Sequence, residues 1–583
     1  MIRALAAALA VLVLLPQAAS AHALLEATTP ERGARLDAAP GQVTLRFSEP
    51  VEAEFGAVRV FDSNGREVQT GPPETRGAEV TARLRDGLGE DGYTVTYRVI
   101  SADSHPVSGG FVFVVGDAPA PATTVGELLG DDDAGPVTGT AFGVARAVQF
   151  ASIALGLGAL IFALACWLPG LRATAGAGPG WSAASTAFAG RLRALLLVAA
   201  GAGALSAVAA LVLQGAVAAG TTVQDAFDAE VIRDVLGTRF GVVWGLGMAA
   251  WVLVAALAAA PRPVPVLRPA SVGATGLAMP GSGRLVALAF PLAALGALPA
   301  LGGHASVQSP VALLLPANVV HVLAMAAWFG GVAVLVFALR AATARLDGGD
   351  RTRLLAAVVS RFSALAGIAI AVLLASGIVQ GLVEVRTLTN LVDTAFGRAV
   401  LIKVVLFAAI VALGAVNRRR LLPSLAAAAR DGAPPGRAGH AVRRTLTAEF
   451  ALGAAALAVT GALAGYAPSV AESTGPFSGR ADIGPARLEL TVDPARVGPN
   501  EMHVYLFDRR DGRQYDATKE LTVTAELPEK RIEPIEFDAT KAGPGQYVVG
   551  GAALGVSGKW TVEVVARVSE FDEYRTRLHV PVR

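Results

Sequence analysis

The sequence predicts a multi-domain fold: a small all-β sandwich, a bundle of eight membrane-spanning α-helices, and a second β sandwich. Three observations carry that expectation. Hydrophobic residues make up 53% of the 583 positions and charged residues 16%, and the apolar residues gather in blocks near the roughly 20 residues that cross a bilayer. On either side of those blocks the pattern changes to short alternating runs separated by Asn-Gly, Asp-Gly and Pro-Gly turns, the period of strands. The lone cysteine, Cys166, falls inside an apolar run, which excludes a disulfide framework or a cysteine zinc site and suggests a packed or lipid-facing thiol.

Residues 1–21 read as a secretory signal. Arg3 supplies the charge, residues 7–15 the apolar core, and Ala19 and Ala21 the small positions before the cut. Cleavage there makes His22 the first residue of the mature chain. Its free amine and imidazole together can chelate a metal, and both nitrogens suit Cu(II), which tops the affinity order for such ligands. Residues 22–116 form the first β domain, with strands expected at 43–47, 58–61, 93–99 and 110–115. A linker rich in Ala, Pro, Thr and Asp, 117–139, ends it.

Residues 140–467 hold eight expected spans, near 142–168, 192–218, 240–260, 285–301, 313–339, 362–383, 399–416 and 450–466. Alternate loops are arginine-rich, for example Arg418 to Arg420, Arg443 and Arg444, while the opposite loops are acidic or neutral, with Asp225, Asp228, Glu230, Glu384 and Asp393. The positive-inside rule puts the arginines in the cytoplasm and both β domains outside, as an exported first domain also requires. The expected location is a bacterial cytoplasmic membrane, multi-pass. After a linker at 468–484, residues 485–583 alternate again at 488–492, 503–507, 547–549 and 560–565, a second sandwich.

Candidate ligands sit in two places. In Ser101-Ala102-Asp103-Ser104-His105-Pro106, between two expected strands, Asp103 and His105 are two residues apart, so an extended chain turns both to one face. With the His22 amine and imidazole they make a nitrogen-rich set with one oxygen, the tetragonal preference of Cu(II). A surface turn held by the Asp side chain is the alternative reading. In the bundle, His321 lies about two turns into its helix, where an ionisable group is costly and a functional candidate by default. Met325 is one turn further on the same face, Trp328 continues the stripe, and His304 in the preceding outer loop is a candidate entry ligand. The alternative is a histidine that only hydrogen-bonds a neighbouring helix beside a methionine that only packs. Lys403 and Arg398 are expected to pair with Asp393 or to snorkel. Neither His440, in a basic loop, nor Met502 and His503, on opposite strand faces, is assigned a site.

These residues carry a resemblance. His22-Ala23 through Pro30, Phe47-Ser48-Glu49-Pro50-Val51, 92–107 and Gly109-Gly110-Phe111-Val112-Phe113 resemble the CopC family of periplasmic copper-binding proteins. The resemblance implies a Greek-key β sandwich binding Cu(II) through His22, Asp103 and His105. Several CopC proteins also hold Cu(I) on methionines, but none occurs between His22 and Gly116, so a Cu(II)-only domain is expected. Gly303-His304-Ala305, 318–331, Arg361-Phe362-Ser363, Ser376-Gly377 and Phe396-Gly397-Arg398 with Lys403 and Asn417 resemble the CopD family. The fusion is similar to copper-uptake proteins of the YcnJ type. Gly498-Pro499-Asn500, Gly545-Gln546-Tyr547 and Gly558-Lys559-Trp560 resemble YtkA-like or FixH-like domains.

The expected function is copper acquisition: the outer domain captures Cu(II) and the helical domain takes it, as Cu(II) or Cu(I), toward the cytoplasm. Copper and the bilayer are the expected partners, nucleic acid is not, and no enzymatic activity is expected. No Walker or phosphorylation motif is present for ATP-driven pumping. Two other classes fit the same residues: a non-transporting copper delivery or resistance protein, and a membrane oxidoreductase holding haem or copper.

Overall fold

The computed structural model describes residues 23, 25–31, 33–53, 58–102, 106–118, 134–176, 178–260, 282–385, 387–465, 477–493, 495–510 and 514–582. The chain divides into a helical unit within 133–469 and a β unit within 20–132 and 470–583.

The N-terminal sandwich contains β1 (Leu25–Thr29), β2 (Arg35–Leu36), β3 (Gln42–Phe47), β4 (Val51–Glu52), β5 (Val58–Phe61), β6 (Gln69–Arg76), β7 (Glu79–Leu84), β8 (Gly92–Ser101) and β9 (Pro106–Val115). One sheet runs β1-β3-β7-β6, and the other β2-β9-β8-β4 with β5 also on β8. Alternation builds the core: Val43, Leu45 and Phe47 of β3 are buried while Gln42 and Arg46 are exposed. Withdrawing such a side chain from water stabilises the fold by about 1.5–3 kcal/mol each. Gly109 lies opposite Tyr97 in the β8/β9 pairing, and a Cβ there would sit 2.5 Å from the Tyr97 hydroxyl oxygen, so only glycine lets that ring lie flat on the strand. The Tyr97 ring then meets Phe47 edge-on, with centroids 5.6 Å apart.

The helical unit holds α1 (Gly135–Phe162), α2 (Pro179–Ala219), α3 (Arg239–Ala259), α4 (Ser282–Leu301), α5 (Val311–Met325), α6 (Gly348–Glu384), α7 (Ala395–Val416) and α8 (Gly436–Leu463), with short helices between. Each overlaps one of the expected spans, and those near 142–168 and 313–339 continue past α1 and α5 into further helical turns. Among the described residues seven stretches are long and apolar enough to cross a membrane, and the apolar part of α4, Leu285–Leu301, is shorter. Three spans run on through π-helical turns that the sequence pattern does not announce: Ala163–Trp167 after α1, Ala326–Gly330 after α5, and Asn417–Leu421 after α7. Small residues set the closest crossing. A Cβ on Gly158 would lie 2.0 Å from the Ala326 carbonyl oxygen, and one on Gly330 2.1 Å from that of Ala154. Cys166 is fully buried, as a packed thiol.

The C-terminal β domain contains β10 (Phe477–Ile483), β11 (Ala486–Asp493), β12 (Gly498–Asp508), β13 (Glu520–Leu527), β14 (Ile532–Asp538), β15 (Thr540–Gly543), β16 (Gln546–Leu554), β17 (Gly558–Arg567) and β18 (Glu573–Val582). Its sheets run β10-β11-β12-β16-β15 and β14-β13-β17-β18, with every pairing antiparallel. Met502 is in the core and His503 on the opposite face, as strand alternation requires.

Candidate metal centres

His22, Asp103 and His105 lie outside the described residues, but the strand register fixes their neighbours. Ile100 pairs with Pro106 at the turn end of the β8/β9 hairpin, so the stretch that carries Asp103 and His105 is the hairpin connection. Leu25, at the start of β1, pairs with Phe47 at the end of β3, and Val51, four residues on, pairs with Ser101 at the end of β8. Four residues of extended chain reach at most about 14 Å. The start of β1 and the end of β8 therefore lie at one end of the sandwich. Ala23, the residue after His22, is buried in the core at 1% exposure, which anchors the chain there.

The membrane candidate is described in more detail. His321 stands on α5, half-buried, with Nδ1 2.9 Å from Ser376 Oγ of α6. Ser376 has one hydroxyl proton, and its Oγ donates to the Val372 carbonyl at 2.6 Å, the ordinary back-bond of a helical serine. The oxygen is thus left to accept from His321 Nδ1–H. That fixes the tautomer: Nε2 carries the lone pair and makes no hydrogen bond among the described residues. A histidine that donates from one nitrogen to an orienting oxygen and presents the other is the usual arrangement of a metal ligand. The expectation of an interhelical hydrogen bond is thus also met, yet it occupies only one nitrogen.

Around His321 the polar side chains form a track. Asn318 Nδ2 donates to Gln380 Oε1 at 3.3 Å, and Gln380 Nε2 donates to the Ser376 carbonyl at 3.2 Å. Gly377 leaves room beside the ring: a Cβ there would stand 3.7 Å from His321 Cε1. Ser376, Gln380 and Glu384 recur every four residues on one stripe of α6. Lys403 of α7 lies within electrostatic reach of both His321 and Glu384. Here the pairing with Asp393 expected from the sequence is replaced. Arg398 Nη1 donates to the main-chain carbonyls of Val392 and Asp393, and the carboxylate that Lys403 faces is Glu384. Met325 is half-buried one turn below His321, followed by buried Trp328 and Phe329 in the π turn. The extra residue of that turn breaks the even His321–Met325–Trp328 stripe.

His304 begins a 3₁₀ turn, His304–Ser306, just before α5; its side chain lies outside the described residues. The turn is pinned by Arg239 Nη2, which donates to the Leu301 carbonyl and to Ser306 Oγ at 2.8 and 3.0 Å. Sequence reasoning missed Asn318, Gln380 and Glu384, although the four-residue spacing on α6 marks two of them.

The remaining histidines stay outside both centres. His440 Nδ1–H donates to the Gly436 carbonyl at 2.7 Å, local to its own helix. His503 Nε2 stands 3.2 Å from Glu501 Oε1, with Tyr505 stacked beside the imidazole at 6.3 Å. Burial, then the Glu501 and Glu489 carboxylates, push the Tyr505 phenol up to about 12. Among the described residues no three His, Cys, Asp or Glu side chains converge to hold a metal ion.

Three family models match this chain: the CopC domain over residues 25–116, the N-terminal domain of copper resistance protein D-like proteins over 137–312, and copper resistance protein D over 356–463. The copper transport protein CutJ of Bacillus subtilis is 28% identical over 96% of this chain and 96% of its own. Protein YobA of Escherichia coli is 34% identical over 19% of this chain and 95% of its own. The crystal structure of CopC from Methylosinus trichosporium is 30% identical, with a TM-score of 0.16 over 17% of this chain and 95% of that one.

Proposed function

Because this chain joins CopC and CopD family-model domains and is similar over 96% of its length to a copper transport protein, we propose that it is a copper importer of the cytoplasmic membrane. In this reading the first β domain faces outward and captures Cu(II) on the His22 amine and imidazole, Asp103 and His105. The helical unit receives copper at His304, then His321 and Met325, and passes it inward as Cu(II), or as Cu(I) where an extracellular reductant has supplied one electron. The observation that carries the membrane step is the His321–Ser376 bond, which leaves His321 Nε2 as a lone-pair nitrogen inside a span with a thioether one turn below. An imidazole suits either oxidation state, and a thioether favours Cu(I). The arginine-rich loops support the orientation with both β domains outside. No catalysis is assigned.

Cellular copper, measured with and without the gene, tests this. Cells bearing the wild-type gene are expected to accumulate copper faster, and His321→Ala to abolish the gain. Ser376→Ala, which frees Nδ1 and lets the ring turn, is expected to cost about 10–100-fold in copper affinity or uptake. Unchanged uptake in all strains would leave a delivery or resistance protein instead. A coloured haem in the purified chain would point to the oxidoreductase.

A further inference from the structure

The helical unit holds a second polar cluster that the copper site does not use. Glu449, on α8, is 4% exposed, inside a span that the bilayer would surround. Its Oε1 accepts from Asn417 Nδ2 at 2.6 Å, and Asn417 Oδ1 accepts from Thr445 Oγ1 at 2.5 Å. Asn417 opens the π turn that leads into Arg418, Arg419 and Arg420, so the relay starts at the arginine-rich end of the bundle.

Among the described residues no cation pairs with this carboxyl group. On α1, Arg146 donates to the Ala464 carbonyl at the far end of α8. Arg418 donates to the Ser363 carbonyl, and Lys403 of α7 faces Glu384. Arg430, in the short helix Leu422–Arg430, is exposed, as are Arg443 and Arg444 on α8 itself. A carboxylate buried without a counter-charge is costly, and either a bound proton or a passing cation removes the cost.

Between this cluster and His321 lies an apolar layer. Phe329 stacks on Phe450, the neighbour of Glu449, with centroids 5.2 Å apart. Gly453, one turn further along α8, makes room for the same rings: a Cβ there would be 2.6 Å from Phe329 Cδ2 and 3.1 Å from Trp328 Cη2. The His321 nitrogen and Met325 sulfur thus lie on one side of the aromatic layer and the Glu449 carboxyl oxygens on the other. Copper is held firmly by the first kind and weakly by the second, which suits a step from which the ion must leave.

Resting on the import reading, we propose that Glu449 is the inner exit site, where a proton on the carboxyl and a copper ion replace one another. The proton leaves Glu449 to cytoplasmic water as copper arrives beside the carboxylate, and a cytoplasmic proton returns once copper has gone. If the ion is Cu(I), one positive charge stands at the carboxylate in either state. Protons and copper therefore compete at the cytoplasmic face.

The test is the initial rate of radioactive copper uptake by cells expressing the full chain, with cytoplasmic pH lowered by a permeant weak acid at constant external pH. Wild-type uptake is expected to fall severalfold per unit of cytoplasmic acidification. Glu449→Gln is expected to be at least about tenfold slower and insensitive to cytoplasmic pH. Glu449→Asp is expected to recover both rate and pH response, which guards against a Gln variant that fails to fold. A Gln variant with the wild-type rate and response, or an Asp variant as inert as Gln at normal membrane levels, overturns the exit site and leaves import standing. A wild-type chain that admits no copper overturns import, and the exit site with it.

Discussion

At the scale of single residues, copper capture competes with protons. The free α-amine titrates near pH 8 and an imidazole near 6.5, and a metal needs the unprotonated lone pair. Acidification therefore protonates the ligands of the proposed His22 site and weakens binding. The affinity of the full chain for Cu(II) is expected to fall at least about tenfold between roughly pH 7 and pH 5, measured by titration against a competing chelator. Sequencing of the mature N terminus belongs to the same experiment. A flat pH profile, or a terminus other than His22, would remove the amine from the ligand set.

At the scale of elements, what was legible follows from what determines each feature. Alternation and apolar length come from local side-chain chemistry, so strands β8 and β9 and the long apolar helices stand close to where the pattern puts them. The π turns depend on partners in other helices. The turn Ala326–Gly330 crosses α1 where Gly158 and Gly330 face carbonyl oxygens, and no single-helix pattern encodes that. His321 was visible as a buried ionisable group, whereas its orienting partner Ser376 comes from another helix 55 residues away. Glu449 was missed because one carboxylate after a run of arginines reads as interface until its burial is known. The crossing itself makes a prediction. Gly158→Ala sets a methyl against main chain that cannot move aside, and is expected to destabilise the protein by about 1–3 kcal/mol, read as a lower thermal midpoint in detergent. Gly201→Ala, with open space around its Cβ, is expected to be neutral or to gain up to about 1 kcal/mol from helix propensity. Equal midpoints for the two variants would show that the close crossing is not a packing constraint.

At the scale of the whole molecule, the copper path has a direction only if the membrane orientation is the one the charges favour. The argument is electrostatic: arginines resist translocation across the bilayer, so the charges favour an inner position for the segments carrying Arg418 to Arg420 and Arg443 and Arg444, and an outer one for the acidic turn around Asp393. Oxygen donors at Glu449 then lie toward the cytoplasm and the His321 track toward the outside. The single native thiol, Cys166, is fully buried, so cysteines added at exposed positions report cleanly on sidedness. Leu388→Cys, in the turn between α6 and α7, is expected to react with a membrane-impermeant maleimide in intact cells. Asp431→Cys, between α7 and α8, is expected to react only after the cells are opened. Reversed labelling would turn the path around: the His321 track would face the cytoplasm, Glu449 would be the outer group, and the same donors at the same depths would describe export.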